Sequence, residues 1–413
     1  MRFSNTNPPG TLGIPPQGVV LSPDPVPTPS LDPEQVRALR AHGVDVLSRV
    51  GAPAEAEELW RYSGIDRFDP FTFVSPNDPT GVASSVVDLP ASATAVGVRV
   101  EGDTEGDADP DYFAALSLAN TSSRLVLRIP ANVELTEPIR ITTTLSAAGT
   151  AGTSLRVIVG ANSGATVIEE FRSDDADREP ALLIASTVLE LSGGARLRHT
   201  SVQLVADRDW FVGSLVATTG RDATLSSVAV ALGGAYARLE TTARATDRGA
   251  HNELLAVYFA GGDQVHDFRT RQDHIAPRTT SDLLFKGAVE DRARSVYSGL
   301  IHIGKDARGT VAHQTNRNLL LSSESSAESV PNLEIENNDV KCSHASAVGP
   351  IDDEQRYYLE SRGVPPNQAE RLIVLGFFAD LLNRVPDDAL RAELVAAVID
   401  KFDRRALVQG VGE

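Results

Sequence analysis

The sequence predicts a mainly β protein: a right-handed parallel β-helix core flanked by small N-terminal and C-terminal helical units. Two observations carry the prediction. From Val86 to Val340, short runs of Val, Leu, Ile and Thr are broken by Gly, Asn and Asp, with almost no helix-length periodicity; such spacing reads as many short strands. Within that region a turn residue and an alanine precede an alternating apolar run at Gly164-Ala165, Gly194-Ala195, Asp222-Ala223 and Gly249-Ala250, the alanines following one another at 30, 28 and 27 residues. A nearly constant period in all-β sequence implies a solenoid whose coils bury their apolar faces on one another. A jelly roll shares many of these signals and is the competing architecture.

Four segments follow: 1–30, 31–85, 86–345 and 346–413. Residues 1–30 are dense in Pro, Gly and small polar residues, with too little apolar surface to order them, and read as a disordered tail. In 31–85, the N-terminal helical region, Asp32 caps a helix, Pro33 suits its first turn and Gln35 completes a capping box. Val36, Leu39, Val46 and Leu47 approximate its apolar face, and a second helical piece runs from Ala54 to Tyr62, with Trp60 and Tyr62 as packing aromatics. Residues 86–345 are the β-helix core. In 346–413, Asp352 or Asp353 caps a short helix stopped at Gly363. Asn367 caps the next, with Glu370 at its third position and Leu372, Leu375, Ala379 and Leu382 at helical spacing; Pro386 ends it. A last helix after Asp387 repeats Leu390, Leu394, Val398 and Phe402. This unit is expected at the end of the solenoid. Phe377 and Phe378 cannot both easily face one core; a buried pair is the plainer reading, and one of them facing a partner is the other.

Composition narrows the function. The 413 residues carry 56 acidic against 38 basic side chains, a formal charge of -18, which argues against nucleic acid and against anionic lipid as partners. One cysteine excludes an internal disulfide and fits a reducing cytoplasm. The N-terminus has no apolar signal core and no apolar run is long enough to span a membrane, so a cytoplasmic, soluble protein is expected.

Several constellations bear on chemistry. Gly299-Leu-Ile-His-Ile-Gly-Lys-Asp306 copies the phosphate-binding loop except at its last position, where Asp306 would repel a nucleotide; its apolar residues read as strand, and no nucleotide site is expected. Five of the eight histidines fall between His266 and His344, without zinc-protease or zinc-knuckle spacing. Stacked coils could bring His302 towards His313, although satisfied strand histidines are the plainer reading. Asp263, Asp267, Asp273 and Asp282 could bind calcium or supply paired carboxylates for polysaccharide cleavage. With Arg269, Arg271 and Arg278 interleaved, they read more simply as a solvated ion-pair ladder. Cys342 and His344, two residues apart, share one face of an extended strand and together make at most half of a metal site. On residue types alone Cys342 is a small buried residue and His344 a hydrogen-bonded one.

A family resemblance shifts that balance. Val340-Lys-Cys-Ser-His344, Val348-Gly-Pro-Ile-Asp-Asp-Glu-Gln355 and Tyr357-Tyr-Leu-Glu-Ser-Arg-Gly363 resemble the C-terminal signature of SufD. His266-Asp-Phe-Arg-Thr270, Phe285-Lys-Gly287, Tyr297-Ser-Gly299 and Gln314-Thr-Asn-Arg-Asn-Leu-Leu-Leu321 resemble the core that the SufB/SufD family of iron–sulfur cluster assembly proteins shares. Glu58-Leu-Trp-Arg-Tyr62 is similar to a segment common near the start of SufD chains. The likeness is strongest from Gly261 to Arg384. It implies a β-helix and a non-catalytic subunit pairing with a SufB-type paralogue through the β-helix end and with a SufC-type ABC ATPase through the C-terminal helices. It further implies that His344, with Cys342 as the second candidate, serves a transient iron–sulfur cluster at the SufB contact. One thiolate cannot hold a cluster that needs about four ligands, so the site is shared. Tyr358, Arg362 and Phe378 are the candidate ATPase-facing residues. Two departures matter: the usual Gly-Ala-Thr after the histidine is Ala345-Ser346-Ala347, and Leu359 stands where SufB has a cysteine, which assigns the chain to the SufD side. Flavin involvement and a homodimer in the absence of SufB stay open. A β-helix carbohydrate-active enzyme and a purely structural solenoid are the alternatives.

Overall fold

The computed structural model describes residues 32–54, 60–65, 73, 81–103, 112–174 and 177–409; the tail expected at 1–30 lies outside them. The strands are β1 (Ala83–Asp88), β2 (Arg99–Gly102), β3 (Thr121–Ile129), β4 (Ile139–Leu145), β5 (Gly149–Val159), β6 (Gly164–Ser173), β7 (Ala181–Leu191), β8 (Arg196–Leu204), β9 (Trp210–Thr219), β10 (Thr224–Ala231), β11 (Tyr236–Ala245), β12 (His251–Ala260), β13 (Val265–His274), β14 (Thr280–Val289), β15 (Arg294–Ile303), β16 (Val311–Leu320), β17 (Ser326–Ile335) and β18 (Lys341–Pro350). They alternate between two nine-stranded sheets. Sheet A runs β1-β4-β6-β8-β10-β12-β14-β16-β18 and sheet B runs β17-β15-β13-β11-β9-β7-β5-β3-β2. Every pairing is parallel except β1 with β4 and β2 with β3. This is a parallel β-solenoid, and the jelly roll is excluded, because a jelly roll pairs antiparallel.

The repeat seen in the sequence is the corner of each coil, with one shift. Thr224 N donates to Ala195 O at 2.8 Å, His251 N to Ala223 O at 2.9 Å and Thr280 N to Ala250 O at 2.9 Å. The series continues through Val311 N to Thr279 O and Lys341 N to Thr310 O. In the preceding coil Ser163, not Ala165, holds the place: Arg196 N donates to Ser163 O at 2.7 Å, and Ala165 is in register with Leu197. Ser163 fits because its hydroxyl donates to Pro130 O at 2.6 Å, so a small polar residue there is satisfied. All six corner residues are fully buried.

Each sheet is covered over part of its outer face. Helices α5 (Pro366–Leu382) and α6 (Asp388–Gln409) lie along the flank of sheet A, where Val374, Phe378, Leu381, Leu390, Leu394, Val398 and Phe402 share a core with Val202, Val228, Val230, Leu255 and Val257. Each fully buried side chain of this kind contributes on the order of 1.5–3 kcal/mol. Two lysines fasten the unit: Lys286 Nζ donates to Asp380 at 2.7 Å and to Phe377 O at 2.9 Å, and Lys401 Nζ to Gln264 Oε1 at 2.6 Å and to Leu232 O. The helical unit therefore braces the side of the solenoid rather than standing at its end. Leu372, expected on the apolar face of α5, is exposed instead, because the buried stripe runs through Ala369, Val374, Phe378 and Leu381. Pro365, not Asn367, precedes the helix, and Pro366 occupies its first turn. The buried series on α6 is the predicted one.

Sheet B is covered by α1 (Pro33–Leu47) and α3 (Tyr112–Ala119), with the short α2 (Ala91–Ala95) beside β2. The predicted capping box on α1 is present: the Asp32 carboxylate accepts from Glu34 N at 2.7 Å, and Asp32 N donates to Gln35 Oε1 at 3.1 Å. Phe113, Leu116, Ile65 and Phe73 pack on Leu182, Ile184, Val212 and Tyr236. Trp60 is a packing aromatic, 5.5 Å from Phe113 and beneath the Arg238 guanidinium. Tyr62 is not; its φ of 67° turns it out to solvent. Most of the second helical piece expected at Ala54 to Tyr62 lies outside the described residues. Helix α3 falls where the sequence predicts strands. Its residues are apolar nearly all round, because it is buried between β-sheet and α1, so no one-sided stripe betrays it. Among the described residues, no helix is long and apolar enough to cross a membrane.

Candidate functional site at the uncovered end of the solenoid

The last coil, β17 and β18, has no coil above it. Parallel register fixes what it presents: Cys342 stacks on Ala312, His344 on Gln314, Ser346 on Asn316 and Val348 on Asn318. Those four β16 residues are buried and face the solenoid interior. Side chains alternate along a strand, so Cys342, His344, Ser346 and Val348 belong to the interior row, exposed because the stack stops there. On the opposite wall Leu333 and Ile335 stack on the buried Ile301 and Ile303, yet are 38% and 44% exposed. The end is an interior cut open.

The predicted pair is brought together as strand neighbours on one face. Cys342 is half-buried against the apolar group of Ile301, Ile303, Ala307 and Ala312, and burial pushes its thiol pKa up. It is a thiol rather than a thiolate near neutrality. His344 is exposed, and its imidazole makes no hydrogen bond among the described residues.

Beneath His344 lies a row of buried amides that sequence reasoning missed. Gln314 Oε1 accepts from Gln272 Nε2 at 3.4 Å, while Gln314 Nε2 is buried without a hydrogen-bond partner among the described residues. Gly299 makes room for it: a Cβ there would stand 2.5 Å from Gln314 Nε2 and 2.4 Å from the Tyr297 hydroxyl. Further in, Tyr258 donates to Asn318 at 2.7 Å and accepts from Asn316 at 3.0 Å, and Tyr297 bonds Thr270 at 2.9 Å. Burial raises both phenol pKa values, so the floor of the site is neutral and hydrogen-bonded. The signal was present: Gln314, Asn316 and Asn318 alternate at the strand period amid apolar strands.

Two of the three residues expected to face an ATPase are available. Tyr358, on α4 (Asp353–Ser361), is 57% exposed, and the Arg362 guanidinium lies 5.3 Å from its ring centre. Phe378 is not: it is fully buried between α5, α6 and sheet A, and only a half-buried Phe377 lies near the surface beside it. That corrects the docking assignment of Phe378.

Apart from the exposed His42 on α1, the remaining histidines lie on strands and are hydrogen-bonded. His199 bonds Glu169 at 2.7 Å and Ser227 at 3.1 Å, and His274 bonds Thr279 and Ser281 at 2.8 Å. His302 and His313 sit on different sheets and have different partners, Asp273 and Ser343. The aspartate series does not converge. Asp267 is buried between Arg238 at 2.5 Å and Arg269 at 2.7 Å, not solvated, while Asp263 pairs Arg292 at the surface. Gly299 to Ile303 is strand, as its apolar residues implied.

Comparison with known proteins places these features in a lineage. Residues 142–377 match the model of the SUF system FeS cluster assembly, SufBD core domain. An iron–sulfur cluster assembly SufBD family protein of Mycobacterium tuberculosis is 31% identical over 358 residues, 84% of this chain and 88% of its own length. The iron–sulfur cluster assembly protein SufD of Escherichia coli is 32% identical over 57% of this chain and 55% of its own, and that of Bacillus subtilis 27% identical over 70% and 67%.

Proposed function

The chain belongs to the SufBD family and has a role in iron–sulfur cluster assembly, and from that membership we propose that it is a SufD-type, non-catalytic subunit. It pairs with a SufB-type paralogue across the uncovered solenoid end and with a SufC-type ABC ATPase through its C-terminal helices, in the cytoplasm. The observation that carries the pairing is the cut interior: Leu333, Ile335 and Val348 exposed beside the unpaired edges of β17 and β18. Exposed edges and apolar interior residues are ordinarily covered, and a second solenoid end covers both. The nascent cluster is cargo. His344 contributes one ligand to it, and partner thiolates supply most of the others. Cys342, held as a thiol, contributes only where a metal displaces its proton.

Helix α4 follows β18 after Ile351 and Asp352, whereas α5 and α6 are pinned to the flank by Lys286 and Lys401. In this reading, ATPase engagement at Tyr358 and Arg362 draws on α4 and so on β18, opening the junction at His344. The test is anaerobic affinity purification from the native cell, with co-purifying chains identified and iron and sulfide assayed, followed by His344→Ala. Recovery of an ABC-type ATPase and a second β-helix protein, with cluster yield lost in the variant, supports the reading. A chain that emerges alone and iron-free, or a variant with unchanged yield, overturns it.

A further inference from the structure

On the outer wall of the last two coils, facing away from His344, a second group of metal-ligating side chains converges. His302 on β15 and Glu334 on β17 are direct cross-strand partners, and Glu336 N donates to Ile303 O at 2.8 Å, which continues the register and sets Glu336 opposite Gly304. Side chains two apart on a strand share a face, so all three project from one patch, and the glycine leaves the space beside Glu336 free of a side chain. One ligand atom from each lies within 4.8 Å of the others. Atoms bound to one ion at about 2.0–2.2 Å necessarily stand that close together. Neither glutamate's carboxylate has an ion-pair or hydrogen-bond partner among the described residues, so two like charges face each other with no ion-paired protein cation between them.

The imidazole is oriented for ligation. His302 Nδ1 bonds the Asp273 carboxylate at 3.0 Å, which leaves Nε2 as the free ring nitrogen, the arrangement in which a carboxylate fixes the tautomer of a metal-binding histidine. Asp273 is itself engaged by Arg271 at 2.8 Å and Arg244 at 4.0 Å, so it orients and is not counted as a ligand. We propose that His302, Glu334 and Glu336 bind a single divalent transition-metal ion across the outer faces of the last two coils. One imidazole with two carboxylates suits zinc, cobalt, manganese or ferrous iron rather than magnesium or calcium, which prefer all-oxygen shells. The site goes beyond the cluster-assembly reading and does not depend on it.

The test uses the full chain carrying Cys342→Ala and His344→Ala, which removes the donors at the solenoid mouth, titrated calorimetrically with Zn²⁺ and followed by absorption with Co²⁺. One equivalent of each metal is expected to bind, with His302→Ala and Glu334→Gln each weakening it at least tenfold, Asp273→Asn weakening it about tenfold, and Mg²⁺ failing to compete. Because His302, Glu334 and Glu336 lie at the surface, these variants leave the core intact, and circular dichroism checks that they do. Absence of stoichiometric binding, or identical titrations in His302→Ala and its parent, overturns the proposal.

Discussion

The two ends of the solenoid are finished differently. At the N-terminal end, β1 and β2 turn antiparallel to β4 and β3, and Val87, Leu89, Ala93 and Val98 fill the mouth over Leu125, Leu127, Leu155 and Val157. At the C-terminal end β17 and β18 keep the parallel register and stop, leaving Leu333, Ile335 and His344 in water. A solenoid that closes one end and leaves the other open is soluble at the first and adhesive at the second. The contrast singles out the open end as the candidate contact surface without reference to any partner.

The contrast can be broken by truncation. Leu127→Ala at the closed end should cost roughly 2–5 kcal/mol in chemical denaturation, and Leu333→Ala at the open end less than about 1 kcal/mol. Equal costs would mean that the last coil is core and not surface. Acid should loosen the covered part next. Burial holds His266 down at about 3 and His274 at about 4, whereas an unfolded histidine titrates near 6.5, at about its reference value. Between those values the unfolded chain binds more protons, so stability is complete above roughly pH 6.5 and falls on acidification by roughly 1.4 kcal/mol per pH unit for each group. Denaturation midpoints at pH 7, 6 and 5 should decline, and less steeply in His266→Gln; a flat profile would contradict burial of neutral imidazoles. Gly299→Ala, which drives a methyl into Gln314 and Tyr297 beneath the site, should cost about 1–3 kcal/mol, read by the same titration. His344→Ala should be the smallest, within about 0.5 kcal/mol, since the residue is exposed and its imidazole makes no hydrogen bond among the described residues; a larger loss would place it in the fold rather than at a contact.

How much of this was readable follows from which residues speak locally. The coil period was visible because Ala195, Ala223 and Ala250 occupy one corner where only small side chains fit. Helix α3 was not, because a helix buried on both sides has no polar face to mark its period. The burial of Phe378 and exposure of Leu372 depend on the rotation of α5 against sheet A, which a short apolar series leaves undetermined. His344 was reached through resemblance, and its neighbour Gln314, thirty residues back in the register, became visible only once the strands were stacked. Nothing local announces where the stack ends.

The corner column from Ser163 to Thr310 has a further consequence. Successive coils along this column advance by between 27 and 32 residues, yet each of these six coils meets the next through the same backbone bond at a small buried residue. Length differences are absorbed in the connections while the column stays aligned. The molecule is thus a stack with interchangeable storeys: a whole turn could be duplicated or lost in the lineage, changing the distance between the sealed base and the open top without redesigning either.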